Sequence, residues 1–143
     1  MKVEKHIIAS AAISGLAWLY FKSVGYAFIS FLAGTCIDAD HFIDYYSSHS
    51  FTFDLRKIYR ECYLVNLKRL YLVLHSYELA MLLWAATALF GLGNFWKAVS
   101  IGLTQHLIFD QLTNPLVGPG YFFLYRMSKG FERNRLLKGV QQW

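Results

Sequence analysis

Residues 24–41 read VGYAFISFLAGTCIDADH, an apolar run that ends abruptly in Asp38-Ala39-Asp40-His41. With Phe42 and Ile43 the run covers residues 24–43, about 30 Å of helix at 1.5 Å per residue, which matches the hydrocarbon thickness of a bilayer. Three similar runs accompany it, at residues 7–21, 72–92 and 95–116. Lys22-Ser23 joins the first pair and Gly91-Leu92-Gly93-Asn94 the second, so each pair reads as a tight helical hairpin. Residues 44–71 form the long connection. There Phe53, Leu55, Ile58, Tyr59, Cys62, Tyr63 and Leu67 interleave with Arg56, Lys57, Arg60 and Lys68, a pattern that suits a helix lying in a membrane interface.

Composition supports the same reading. Of 143 residues, 56% are hydrophobic and 16% charged, whereas a soluble domain carries about a quarter charged residues. Aromatic residues reach 18%, and Trp18, Tyr20, Phe21, Tyr45, Tyr46, Tyr71 and Trp96 stand near the ends of the apolar runs, where amphipathic rings favour headgroups. The length suits one domain, residues 1–143. The expected class is all-α: an integral membrane four-helix bundle with an interfacial amphipathic helix between helices 2 and 3. Of the 14 lysines and arginines, Lys22 and Lys97 alone fall on one side of the runs, and the others, from Lys2 to Lys138, fall on the opposite side. That asymmetry predicts the cytoplasmic (inner) membrane with both termini cytoplasmic.

The net charge of +5 points to anionic membrane lipids and not to nucleic acid, because no domain-sized polar surface exists to carry a nucleic-acid site. Self-association into a homo-oligomer stays open at this level. Cys36 and Cys62 give no disulfide framework and read as free thiols, with Cys36 as a metal ligand the minor alternative.

Ionisable side chains inside apolar helices are costly, about 2.5–3.5 kcal/mol each on insertion scales, so each one asks for a reason. His6 opens the first run, Asp38, Asp40 and His41 close the second, His75 and Glu78 enter the third, and His106 and Asp110 leave the fourth. Successive helices alternate in direction, so all of these fall at one depth. Imidazole and carboxylate together suit zinc first, with manganese or iron as alternatives. His106 and Asp110 are four apart and His75 and Glu78 three apart, spacings that put each pair on one helical face. Asp38 and Asp40 stand about 200° apart on a regular helix, so either the helix frays there or one aspartate holds a ligating histidine from behind. The expected metal ligands are His6, Asp38, His41, His75, His106 and Asp110, with Glu78 and Asp40 as catalytic base or orienting groups. Arg56, Arg60, Lys68 and Arg69 are expected to neutralise a substrate phosphate. Asp44 and His49 read as solvated loop residues, and Asn114 as an outer ligand at most.

These motifs resemble those of the bacterial and archaeal membrane-bound metal-dependent hydrolases, which include LexA-regulated inner-membrane proteins. The matching elements are His6, the segment GTCIDADH at residues 34–41, His75-Ser76 and His106-x-x-x-Asp110. That family is in turn distantly similar to zinc-dependent phospholipases C. The chain departs from it at Ile37, where the family usually has proline, and before His75, where the His-Arg and Thr that the family often shows are missing, which leaves open one metal ion instead of two, or loss of activity. The resemblance implies a helical metallohydrolase. The function expected from residues and resemblance together is metal-dependent hydrolysis of a phosphoester or diphosphate in a lipid or lipid-linked substrate at the cytoplasmic face. The alternative is a noncatalytic membrane subunit whose metal or polar cluster is structural and which recruits a partner.

Overall fold

The computed structural model describes residues 3–138; Lys2 of the charge count lies outside them. The elements run α1 (Val3–Phe21), α2 (Val24–Cys36), a 3-10 turn (Ile37–Asp40), α3 (His41–Ser48), α4 (Leu55–Tyr63), α5 (Tyr77–Leu89), α6 (Asn94–Thr113), a second 3-10 turn (Gly118–Tyr121), α7 (Phe123–Ser128) and α8 (Arg133–Leu136). Pairing of extended chain is confined, among the described residues, to isolated bridges between Arg69 and Glu132 and between Leu116 and Leu137. The two hairpin turns close through left-handed backbone at Lys22 (φ 53°) and Gly91 (φ 60°).

The all-α class holds, but the integral membrane bundle is corrected: among the described residues no helix is long and apolar enough to cross a membrane. The reason lies in where the apolar runs stop being helix. α2 and α5 have 13 residues each, about 20 Å against the roughly 30 Å a span needs. α1 and α6 are longer, at 19 and 20 residues, but polar residues dilute them: Glu4, Lys5, His6, Ser10 and Ser14 in α1, and Lys97, Ser100, Gln105, His106 and Asp110 in α6. The inner-membrane location and the cytoplasmic placing of both termini fall with the spans.

α6 is the central helix, packed against α2, α1 and α5. Two glycines set how closely it meets α2. A Cβ on Gly102 would strike the Ser30 carbonyl oxygen and come within 2.9 Å of the Gly34 nitrogen and of Ala33 Cβ. A Cβ on Gly34 would strike Gln105 Nε2 and lie 2.9 Å from Ser10 Oγ. Backbone thus meets backbone at this crossing, and Gln105 Nε2 donates to Ser10 Oγ (2.8 Å) to bring in α1.

A second layer covers one end of these helices. α4 starts at Asp54, whose Oδ1 accepts from Arg56 N (3.0 Å) and Lys57 N (3.1 Å), a side-chain cap on otherwise unpaired amides. Its Ile58 turns into the core, while Arg56, Lys57 and Arg60 stay exposed. Behind it, the segment before α5 is tied down by Arg126 of α7, which is fully buried. Its guanidinium donates to the carbonyls of Tyr71 (3.0 Å), Leu72 (2.7 Å), His75 (3.1 Å) and Gly120 (2.6 Å).

Candidate metal centre

The α2 helix ends one residue before the acidic motif, and the chain then tightens into the 3-10 turn Ile37–Asp40. That change of pitch separates the two aspartates. Asp38 is left half-buried and Asp40 is 2% exposed. Asp40 Oδ2 accepts from Leu74 N (2.8 Å), His75 N (3.3 Å) and His75 Nδ1 (3.0 Å). His75 lies in a bend ahead of α5, its amide also bonded to the Leu72 carbonyl (3.1 Å), because Ser76 caps that helix by accepting from Leu79 N (3.4 Å).

α6 brings the other imidazole. His106 Nδ1 lies 2.6 Å from the Gly34 carbonyl oxygen. A carbonyl only accepts, so Nδ1 carries the proton, and the close approach at Gly34 and Gly102 is what makes this bond reachable. By the same reasoning the Asp40 carboxylate holds the proton on His75 Nδ1. Both histidines therefore turn Nε2 lone pairs inward, and the two Nε2 atoms face each other at 3.1 Å. Two acceptors do not rest at that distance unless something positive lies between them.

Two carboxylates complete the ring. Asp38 Oδ1 is 3.3 Å from His75 Nε2 and 3.4 Å from His106 Nε2. Asp110 Oδ2 is 3.2 Å and 3.5 Å from the same atoms. Tetrahedral zinc with bonds of about 2.0–2.1 Å sets its donors roughly 3.3–3.4 Å apart. The five separations just given lie near that spacing, so these donors can gather around one divalent ion. His6 and His41 flank the ring. His6 Nε2 lies 2.9 Å from Asp110 Oδ1, its ring stacked on His106 at 4.3 Å; His41 Nε2 lies 3.6 Å from Asp38 Oδ1, its ring 5.1 Å from that of His75. Donor atoms of His6, His106 and Asp110, and likewise of Asp38, His41 and His75, all fall within 4.8 Å of one another.

Where no cation lies between the Nε2 atoms, the same carboxylates favour a proton there in its place, and the electrostatics show that preference for positive charge. Burial opposes the charged form of His106, yet hydrogen bonds to Asp110 and Asp38 raise its pKa to about 9. Burial acts likewise on His75, and the same carboxylates with Asp40 push it well above the ordinary imidazole value. Burial also favours neutral Asp38 and Asp110, but their histidine partners hold both far below the usual carboxylate range. His41 moves the other way, lowered by burial and by the charge on His75.

All six expected ligands thus converge, while other expected site residues do not join them. Glu78 accepts from Phe123 N (2.8 Å), Leu124 N (3.0 Å) and Ser76 Oγ (2.7 Å), so its carboxylate caps α7. Burial raises its pKa, and these bonds outweigh that and hold it below the usual value. Asp40 orients His75 and is already occupied by backbone amides. Arg56, Arg60, Lys68 and Arg69 are exposed. Cys36 is a free, exposed thiol outside the donor groups. Asp44, expected in a solvated loop, is fully buried and accepts from Tyr71 N (2.7 Å). Sequence reading missed the roles of Arg126 and Gly102, and took Gly34 only as the start of the GTCIDADH motif. The signals for Arg126 and Gly102 were an arginine inside the apolar stretch FFLYRM and a glycine one helical turn before His106.

A cavity of about 360 Å³ opens beside the donors, bordered by His6, Asp38, His41, His75 and Asp110. Its further walls are apolar, among them Ile58, Leu67, Leu70, Leu72 and Leu116. Two wall residues sit in left-handed backbone, Val65 (φ 51°) and Leu72 (φ 46°), a strained state for side chains of this kind and one that clusters at functional sites. Comparison of the chain with protein-family models, with curated proteins and with solved structures returns no match.

Proposed function

We propose that the chain is a metal-dependent hydrolase that cleaves an ester or a related acyl or phosphoryl bond at a divalent cation held by Asp38, His75, His106 and Asp110. The observation that carries this reading is the pair of inward Nε2 atoms 3.1 Å apart, each with its Nδ1 proton already committed. Zinc suits an imidazole and carboxylate donor set best, with manganese or iron next. Such an ion supplies Lewis acidity, polarising the scissile group and drawing the pKa of water toward about 7.

The remaining chemistry belongs to the chain. Asp40 and the Gly34 carbonyl hold the two imidazoles in the ligating tautomer. His41 borders the cavity, and burial disfavours its charged form, so it is the group we assign to take a proton from the attacking water. His6, against Asp110 Oδ1, fixes the other side of the ring. This reading keeps the hydrolase chemistry implied by the resemblance to metal-dependent hydrolases. Elemental analysis of wild type beside His106→Ala, both loaded with zinc and desalted, tests it. Bound zinc that disappears in the variant, together with chelator-sensitive hydrolysis by wild type, is the expected result. Wild type that retains no metal, or that retains metal and leaves carboxylic and phosphoric esters alike untouched, overturns it.

A further inference from the structure

The cavity beside the donors narrows the substrate class. It is a pocket of ordinary ligand size, apolar over most of its lining, and its ionisable imidazoles and carboxylates are those of the converging donor set, His6, Asp38, His41, His75 and Asp110. Among the described residues, no lysine or arginine lines it, and the basic side chains of α4 face outward. Asp38 and Asp110 already offset the two charges of a divalent ion, and Asp40 adds a third negative charge behind His75. An anionic phosphate entering here would meet carboxylates with no cationic side chain to balance it. An uncharged carbonyl group would not.

We infer that the substrate is a carboxylic ester or amide bearing an apolar acyl chain, with the carbonyl at the donors and the chain in the cavity. The inference rests on the hydrolase reading above. In the reaction, the oxygen of water bonds to the acyl carbon and the bond from that carbon to the leaving oxygen or nitrogen breaks. One water proton goes to the leaving group and the other to His41, leaving a carboxylate. At about 30 Å³ for each water-sized group, the cavity accommodates roughly a dozen chain atoms. Its mouth lies at α4, where Leu55 is 65% exposed and Tyr59 49% exposed, and both line it.

The test is calorimetric binding of alkyl hydroxamates, from acetyl to dodecanoyl, to the protein with and without zinc. Affinity is expected to rise about fourfold per methylene and then to level off when the cavity is full. Ile58→Trp, which fills the cavity, should bring the plateau to shorter chains and leave acetyl binding unchanged. Leu55→Ser, at an exposed position that folding does not depend on, should weaken the long chains about fivefold and spare the short ones. No dependence on chain length, or tighter binding of alkyl phosphates than of hydroxamates with equal chains, overturns the inference. Chain-length dependence with affinities that are the same with and without zinc at every length supports the apolar cavity but overturns the hydrolase reading, so the two failures are separable.

Discussion

Replacing Asp40 by asparagine changes one atom and should disable the centre from behind. Oδ2 of Asp40 accepts from two backbone amides and from His75 Nδ1, and Oδ1 also lies 3.0 Å from Nδ1. Whichever way the introduced side-chain amide is turned, its NH2 faces either the Nδ1 proton or the two backbone amide protons. The lowest-cost escape is for His75 to move its proton to Nε2, which removes the inward lone pair. Loss of an orienting partner of this kind weakens metal binding about 10- to 100-fold, or about 1.4–2.8 kcal/mol at 1.4 kcal/mol per decade. Competition for zinc against a chromophoric chelator at neutral pH measures it, with thermal unfolding of the metal-free protein as the control for folding. A folded Asp40→Asn protein that binds zinc within twofold of wild type would refute the claim that Asp40 sets the His75 tautomer.

Gly102→Ala places a methyl group against Ser30 O, Ala33 Cβ and Gly34 N. It should cost about 1–3 kcal/mol, roughly 3–10 °C of melting temperature for a chain of this size, and weaken zinc binding by stretching the His106 to Gly34 bond; unchanged melting would contradict the crossing geometry. Asp44, raised to about 7 by burial although the amides of Tyr71 and Leu72 oppose the shift, has a folded pKa above its unfolded value near 3.8. Its neutral form favours the fold at low pH, and stability falls as pH rises through about 7. Asp44→Asn keeps an oxygen for those amides, so the variant should melt above wild type near pH 8 and close to it near pH 4; parallel pH profiles would contradict this.

The convergence of His6, Asp38, His41, His75, His106 and Asp110 was legible because charge inside apolar runs has few structural excuses, and these six had little else to explain them. The context of those runs was not legible. Nothing in hydropathy marks Cys36 as the last α-helical residue of its run or Tyr77 as the first of its own, because both breaks come from tertiary bonds: Asp40 to the amides of Leu74 and His75, and Arg126 to the carbonyls of Tyr71, Leu72 and His75. The same breaks shorten α2 and α5 below a membrane span and carry Glu78 away from His75, since the three-residue spacing means a shared face only when both residues are helical. The two readings held open for Asp38 and Asp40 turn out to be compatible, with a tightened turn at residues 37–40 and an aspartate that orients a histidine.

X-ray absorption at the zinc edge of the zinc-loaded protein addresses the four-donor centre most directly. The account predicts two imidazole nitrogens and two carboxylate oxygens in a single shell at about 2.0–2.1 Å, with the outer-ring scattering of imidazole lost in part in His106→Ala. A six-oxygen shell at a longer distance, or a spectrum without imidazole scattering, would contradict it.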